Sequence, residues 1–477
     1  MWSNDSSNSL IVASPVGAMC QKSIPATDGG VYIAWVNETG SLYAQRMNVN
    51  GSLLWPSSEP STDGILVLTR NLQYTYDFGL SVDSENNLLI GIDSGFNNGV
   101  SANDLPGGKA IAFKLSPEGE FLFGEQGIVV SPEGENVGQI YCTATSDNGV
   151  ILSWSDDKAE YIRTVKLDVD GQALWGQGKI TQPLSITVPV NGLVPDDNGG
   201  AILSFIYTVP PFLHPMPSDK AYRELFAQKF TSEGNNAWSQ QVIQVYNSSQ
   251  SSDGLTDGVI CPVVEDGSGG AVFAIPAPNP DNSAQTKSYI QHVLSTGKFK
   301  YSGIGAALST NMTNSELKPL LAYSANTDST FAVYHATRIS EVPGAEDDDT
   351  VFAQMIASSG DRVWSDEGIQ LEEWYTDGTG SEAVGMYAFN GGAMAMWIPP
   401  RDRAQTENDT IRAAMFNEQG EYVWATQTVD LKTSPTQAAS FTSLVNSDND
   451  FAVVSWLDDQ STPVRAQNIN EDGTLGE

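Results

Sequence analysis

Eight segments of the chain share one pattern of apolar and polar positions. Each opens with a short apolar run, usually led by glycine: GGVYIAW, NNLLIGI, NGVILSW, GGAILSF, GGAVFAI, STFAVY, GGAMAMW and DFAVVSW. A variable stretch follows, and then a strand that ends in a glycine turn: YAQRMNVNGSLLW, IAFKLSPEGEFLF, RTVKLDVDGQALW, FAQKFTSEGNNAW, YIQHVLSTGKFKY, FAQMIASSGDRVW, RAAMFNEQGEYVW and RAQNINEDGTLGE. The runs recur about every 60 residues, which is room for four strands and their turns. Eight four-stranded units predict an all-β fold, an eight-bladed β-propeller with four antiparallel strands per blade. The blades are expected at 16–69, 77–131, 138–188, 190–246, 257–310, 316–371, 381–430 and 436–477 plus 2–14, all in one domain spanning 1–477.

Aligning the copies on their shared glycines (Gly51, Gly119, Gly171, Gly234, Gly297, Gly360, Gly420 and Gly473) gives each column a physical reading. Four residues later stands Trp55, Phe123, Trp175, Trp238, Tyr301, Trp364 or Trp424, and the last copy alone lacks its aromatic. Four residues earlier the position is always apolar, from Met47 to Ile469, as a strand packed between sheets requires. Gln45, Gln228, Gln291, Gln354 and Gln467 share a column, read as half-buried amides that tie neighbouring blades together. The sequence stops at Glu477, where the eighth copy should carry its aromatic and its outer strand. Trp2 and the run Ser9-Leu-Ile-Val-Ala match those missing parts in type and order, so the N-terminal strand is expected to complete the last blade and close the ring.

Composition narrows the partners. With 58 acidic against 23 basic residues the net charge is −35, which repels phosphate backbones and leaves no basic stripe for nucleic acid or an anionic membrane. No apolar stretch is long enough to span a bilayer, so no membrane insertion is expected, and the chain is expected to be a monomer. Cys20, Cys142 and Cys261 each fall on the first strand of a repeat and read as buried free thiols. The N-terminus shows neither a basic nor an apolar targeting region. The polar, acidic, Lys-poor composition nonetheless points outside the cytosol, to a secreted, periplasmic or lipid-anchored surface protein. Triplets such as Asn50-Gly-Ser and Asn311-Met-Thr fit the glycosylation pattern but read as chance in an Asn/Ser-rich chain.

The consensus, roughly DGGxxxAWxD, a variable loop, YAQRxxxxGxxLW and then GxxV, resembles propeller repeats in secreted and lipid-anchored proteins of Gram-negative bacteria, over essentially the whole chain. Those motif residues are structural, so the resemblance implies a fold and a compartment but no active site. The hairpins Ser358-Ser-Gly-Asp-Arg-Val-Trp364 and Asp168-Val-Asp-Gly-Gln-Ala-Leu-Trp175 also look like the Asp-box turns of sialidase-type propellers, which are structural turns as well.

Candidate chemistry is sparse. His292 occupies the column that elsewhere holds Arg46, Lys114, Lys166 and Lys229, which makes it a scaffold position. His335 is read as the start of a long loop, and His214 lies in the Pro-rich insertion VPPFLHPMPSDK, so each is a ligand-binding candidate. No cofactor is expected apart from calcium, for which Glu346, Asp347, Asp348 and Asp349 are the candidate ligands because hard cations want clustered oxygens. Asp168 and Asp170 belong to an ordinary hairpin turn.

The stretches between second and third strands are long in repeats 2, 4, 5, 6 and 7 (93–109, 208–223, 276–287, 335–350 and 398–410) and short in the others. In a repeat protein such insertions gather on the binding face. That face is expected to carry the candidates Tyr74, Tyr76, Glu372, Trp374, Tyr375 and Arg338, a mixture of aromatic and charged groups suited to sugar stacking or to a protein hot spot. The leading reading is a non-enzymatic extracytoplasmic binding or scaffold module that recognises a glycan or protein through the long-loop face. The alternative is a polysaccharide-processing enzyme, a glycoside hydrolase or lyase, with carboxylates at the channel mouth.

Overall fold

The structure is a computed structural model that describes residues 1–477 apart from 14–17, 57–63, 70–77, 95–107, 136, 157–159, 182–189, 210–221, 248–254, 256–259, 341–346, 377, 380, 390–391, 403–408, 446–450, 459–462 and 477. Eight four-stranded antiparallel sheets follow one another along the chain, and the fold is the eight-bladed β-propeller that the repeats predict. Blade 1 shows the plan with strands Ala18–Pro25, Val31–Asn37, Leu42–Met47 and Ile65–Leu68, hydrogen-bonded in that order. The second and third strands are buried along nearly their whole length because both faces of each sheet are covered. By compactness the chain divides into two units, one of residues 1–203, 230–235 and 436–477, the other of 204–229 and 236–435.

Blade 8 is assembled from both ends of the chain. Leu10–Ala13 lies antiparallel to Val464–Asn470, with Leu10 opposite Ala466 and Ile11 opposite Arg465, and so supplies the fourth strand that the C-terminal copy lacks. Trp2 takes the place of the missing aromatic. Its Nε1 donates to Val49 O at 2.7 Å, and its ring sits where a Cβ on Gly51 would be, 2.7 Å away. The expected closure is therefore present in detail.

The same arrangement explains the Gly-x-x-x-aromatic repeat. The aromatic of one blade packs on the glycine of the next, and where it is a tryptophan or tyrosine it can also hydrogen-bond to the same turn, as Phe123 cannot. Trp55 Nε1 donates to Pro117 O at 2.9 Å, Trp175 to Ser232 O at 2.9 Å, Trp238 to Ser295 O at 3.0 Å and Trp364 to Glu418 O at 3.1 Å. Tyr301 does the same through its hydroxyl, to Ala357 O at 3.1 Å. Gly234 has φ +74, and a Cβ there would lie 2.8 Å from the Trp175 ring, so both backbone and space demand glycine.

A second tie comes from the cationic column. Lys114 pairs with Asp83 of its own blade at 3.0 Å and donates to Asn148 O of blade 3 at 3.3 Å. Lys166 pairs with Asp147 at 2.6 Å and donates to Gly199 O at 2.7 Å, and Lys229 reaches Gly269 O at 2.7 Å. His292 holds the equivalent place, with Nε2 2.8 Å from Asp266 Oδ2, both buried. Burial alone would push the Asp266 carboxyl up. The hydrogen bond from His292 and those from the Gly270 and Ser268 amides outweigh it and bring it down to about 2. The scaffold reading of His292 holds.

Three readings need correction. The glutamine column is fully buried and bonds mainly within its own blade: Gln45 Oε1 accepts from Trp55 N at 2.9 Å and its Nε2 donates to Trp55 O at 3.1 Å, with the same pattern at Gln291 and Gln354. Gln354 also reaches the neighbouring blade, at Leu308 O, 3.1 Å away. Secondly, the long stretches of blades 5 and 6 are extended hairpins, Ala271–Asn279 with Asn282–Val293 and Ser329–Arg338 with Asp348–Ile356. Pro276 and Pro278 fit there because the second strand of blade 5 has outrun the first, Val263–Glu265, so their missing N–H groups face an open edge. His335 accordingly lies within a strand and does not begin a loop. Thirdly, all three cysteines are free and Cys142 and Cys261 are buried as expected, but Cys20 is only partly so.

Candidate functional site

A cleft of ≈ 600 Å³ opens between blades 5 and 6. One wall is the tip of the blade 5 hairpin, with Asp281, Asn282 and Gln285. A second is the connection to blade 6, Asn311 to Asn314, and the third is blade 6 itself, with Arg338, Ile339, Phe352, Glu367 and Gln370, capped by Trp374. Its volume lies within the range of about 300–1,000 Å³ common for small-molecule sites.

The aromatic wall is built by strand alternation. Tyr334, Ala336 and Phe352 face blade 5, and the Trp374 ring meets Phe352 with centroids 6.1 Å apart. Arg338, on the same side, lays its guanidinium 4.3 Å from the centre of the Trp374 ring, and its Nε donates to Asp348 Oδ2 at 3.2 Å. Asp348 is buried, so Arg338 is held from below by a carboxylate and from the side by an indole while its terminal NH₂ groups are left for the cleft.

Beneath the cleft lies a buried ion pair. Glu316 accepts from Lys287 Nζ, from Ser309 Oγ at 2.5 Å and from Ser288 N at 2.9 Å. Burial pushes its carboxyl up although Lys287 pulls the other way. Lys287 also donates to Ser309 Oγ at 2.9 Å and to Asn311 O at 2.5 Å, so the pair fixes the connection that forms the second wall. Glu316 is committed to this network.

Of the ligand candidates read from sequence, Trp374 and Arg338 meet in the cleft. Glu372 does not: its Oε1 accepts from Trp397 Nε1 at 2.9 Å and from Arg412 at 2.7 Å, and it serves blade 7 as a structural clasp. Blade 3 repeats that clasp, where Glu135 accepts from Trp154 Nε1 at 3.0 Å and from Arg163 at 2.8 Å. Tyr375 is partly exposed, exchanges backbone hydrogen bonds with Asp349, and does not line the cleft. His335 sits on the opposite face of the blade 6 sheet, with Nε2 3.1 Å from Asp349 Oδ1. Tyr74, Tyr76 and His214 lie outside the described residues.

The acidic run does not gather into a cation site. Asp348 and Asp349 are consecutive strand residues, so they point to opposite faces, one to Arg338 and the other to His335. Asp347 is exposed and Glu346 lies outside the described residues. Among the described residues no group of three His, Cys, Asp or Glu side chains is placed to hold a metal ion.

Sequence reasoning missed Asp281, Asn311, Phe352, Glu367 and Gln370. They come from different strands and turns of two blades; Phe352 shares a repeated column with Tyr43, Phe226 and Tyr289 and so read as scaffold, and the others stand outside the aligned hairpin columns.

The described residues thus define a propeller with a mixed aromatic and polar cleft. No protein-family model matches the chain, and no curated protein does. Solved structures similar to it include an α-L-arabinofuranosidase from Fusarium graminearum, 9% identical over 97% of each chain with a TM-score of 0.39. Others are an α-L-arabinanase from Penicillium chrysogenum, 10% identical over 97% of each chain at 0.39, and an ulvan lyase, 12% identical over 98% of this chain and 97% of that one at 0.43. At such identities and scores nothing of those proteins' chemistry is carried over to this chain.

Proposed function

We propose that this chain is an extracytoplasmic glycan-binding propeller and that the cleft between blades 5 and 6 is its binding site. The observation that supports this is the Arg338–Trp374–Phe352 cluster set among unoccupied polar groups in one cleft. The carboxylates of Asp281 and Glu367 and the side-chain N–H₂ of Asn311 have no partner among the described residues, and Gln370 spends only its own N–H₂, on Glu372 O. Sugars present apolar C–H faces and hydroxyls that both donate and accept, and this set offers an aromatic edge with free donors and free acceptors. The composition and the repeat consensus support placing the protein among secreted or lipid-anchored bacterial propellers.

The test is a titration of oligosaccharides against the protein, read by tryptophan fluorescence and calorimetry. At least one glycan should bind, and Trp374→Ala should weaken it about tenfold or more, the scale of losing an aromatic hot spot. If no glycan binds, the reading fails. If binding survives Trp374→Ala unchanged, the site lies elsewhere.

The enzyme reading keeps one observation in its favour, the two unpaired carboxylates Asp281 and Glu367 in one cleft. Hydrolysis or elimination of a bound glycan by the wild-type protein, abolished in Asp281→Asn or Glu367→Gln, would establish it.

A further inference from the structure

We infer that the cleft selects uncharged glycans over anionic ones, uronates and sulfates; this rests on the glycan reading above. Asp281 and Glu367 line the cleft, are exposed, and make no ion pair among the described residues. A uronate or sulfate entering would meet both. Arg338, the one cation among the described residues that line the cleft, is already matched by the buried carboxylate of Asp348, so it brings donors to the site with little net positive charge to offset those two acids.

A neutral sugar suffers no such penalty. The guanidinium NH₂ groups of Arg338 and the Asn311 N–H₂ can donate to its hydroxyl oxygens, and Asp281, Glu367 and the Gln370 carbonyl can accept from its hydroxyl protons. Hydrogen bonds to ionised partners are the stronger kind, so charged protein groups and an uncharged ligand are a compatible pairing.

The experiment compares two matched oligosaccharides of one linkage and length, bearing hydroxymethyl or carboxylate groups, by calorimetry at low and at physiological salt. The neutral member should bind about tenfold more tightly than the carboxylated one at low salt, a gap that narrows as salt screens the repulsion. Asp281→Asn with Glu367→Gln, both at exposed positions, should leave the fold intact and raise carboxylate binding about tenfold relative to neutral. Tighter binding of the carboxylated member by the wild type, or an unchanged ratio in the double variant, would overturn the inference while leaving the glycan site standing. Failure of both to bind, after a glycan screen that also finds nothing, removes the glycan reading itself.

Discussion

Trp55 and Trp374 are both tryptophans set against a blade, yet they belong to opposite ends of the strands and to different kinds of sequence. Trp55 stands at a position that is aromatic in seven of the eight copies, is buried, and donates its N–H to the turn of the next blade. Trp374 stands at no repeated position, is only partly buried, and shares its ring with an arginine at the edge of a cleft. The turn end of the blades is uniform because each turn must serve as a surface for its neighbour, so a change in one copy is felt in two. The other end is free of that obligation, and there the hairpins of blades 5 and 6 lengthen and place polar groups that the fold does not need. Repetition in this chain marks what holds the molecule together, and departure from it marks where a ligand can be met.

The contrast can be broken first by truncation. Trp55→Ala should lower unfolding free energy by about 3–5 kcal/mol in a denaturant titration, as loss of a buried tryptophan does, and Trp374→Ala should cost well under half as much. Equal losses would erase the distinction. Next in size is Asp266, whose carboxyl is held at about 2 against an ordinary 3.8. A depressed carboxyl contributes stability that is present above its unfolded value and is lost as pH falls through the folded one. Asp266→Asn should therefore cost about 2 kcal/mol at pH 7, and the gap from wild type should close between about pH 4 and 2. A gap that does not change with pH would mean the His292 pair is not the source. The smallest expected effect is at Glu372, where Glu372→Gln should cost about 1 kcal/mol through its half-exposed clasp and leave glycan affinity unchanged. A loss of affinity would return Glu372 to the site.

The ring and its closure were readable because every copy reports the same requirement, so the absence of one aromatic and one strand near Glu477 pointed directly to Trp2 and Leu10. Columns show which residue type recurs but not how far it reaches, and the glutamines were misassigned for that reason: Gln45 meets a backbone ten positions ahead in its own blade, a bond no column displays. The stretch 276–287 read as an inserted loop because the repeat's second strand ends before it, and the columns do not show that both strands of blade 5 run on past that point with Pro276 and Pro278 inside them. The Glu372 clasp left a signal that closer comparison would have caught, since Trp154 and Trp397 end equivalent strands and Arg163 and Arg412 face them in the same register. For the cleft no such signal exists. Asp281, Asn311 and Glu367 come together only because two blades lie side by side, and nothing in their spacing records it.

The seam in blade 8 has a consequence for how the molecule is made. On a ribosome Leu10 emerges long before Val464, so its partner strand is absent while the seven other blades are made, and the pairing, when it comes, joins two segments far apart in sequence. The seven other blades can each form as their own residues appear, whereas this one waits. Closure of the ring is thereby coupled to synthesis of the last blade's own strands, and a rearranged chain in which blade 8 is one continuous segment and another blade is split would move that waiting step to the blade that was split.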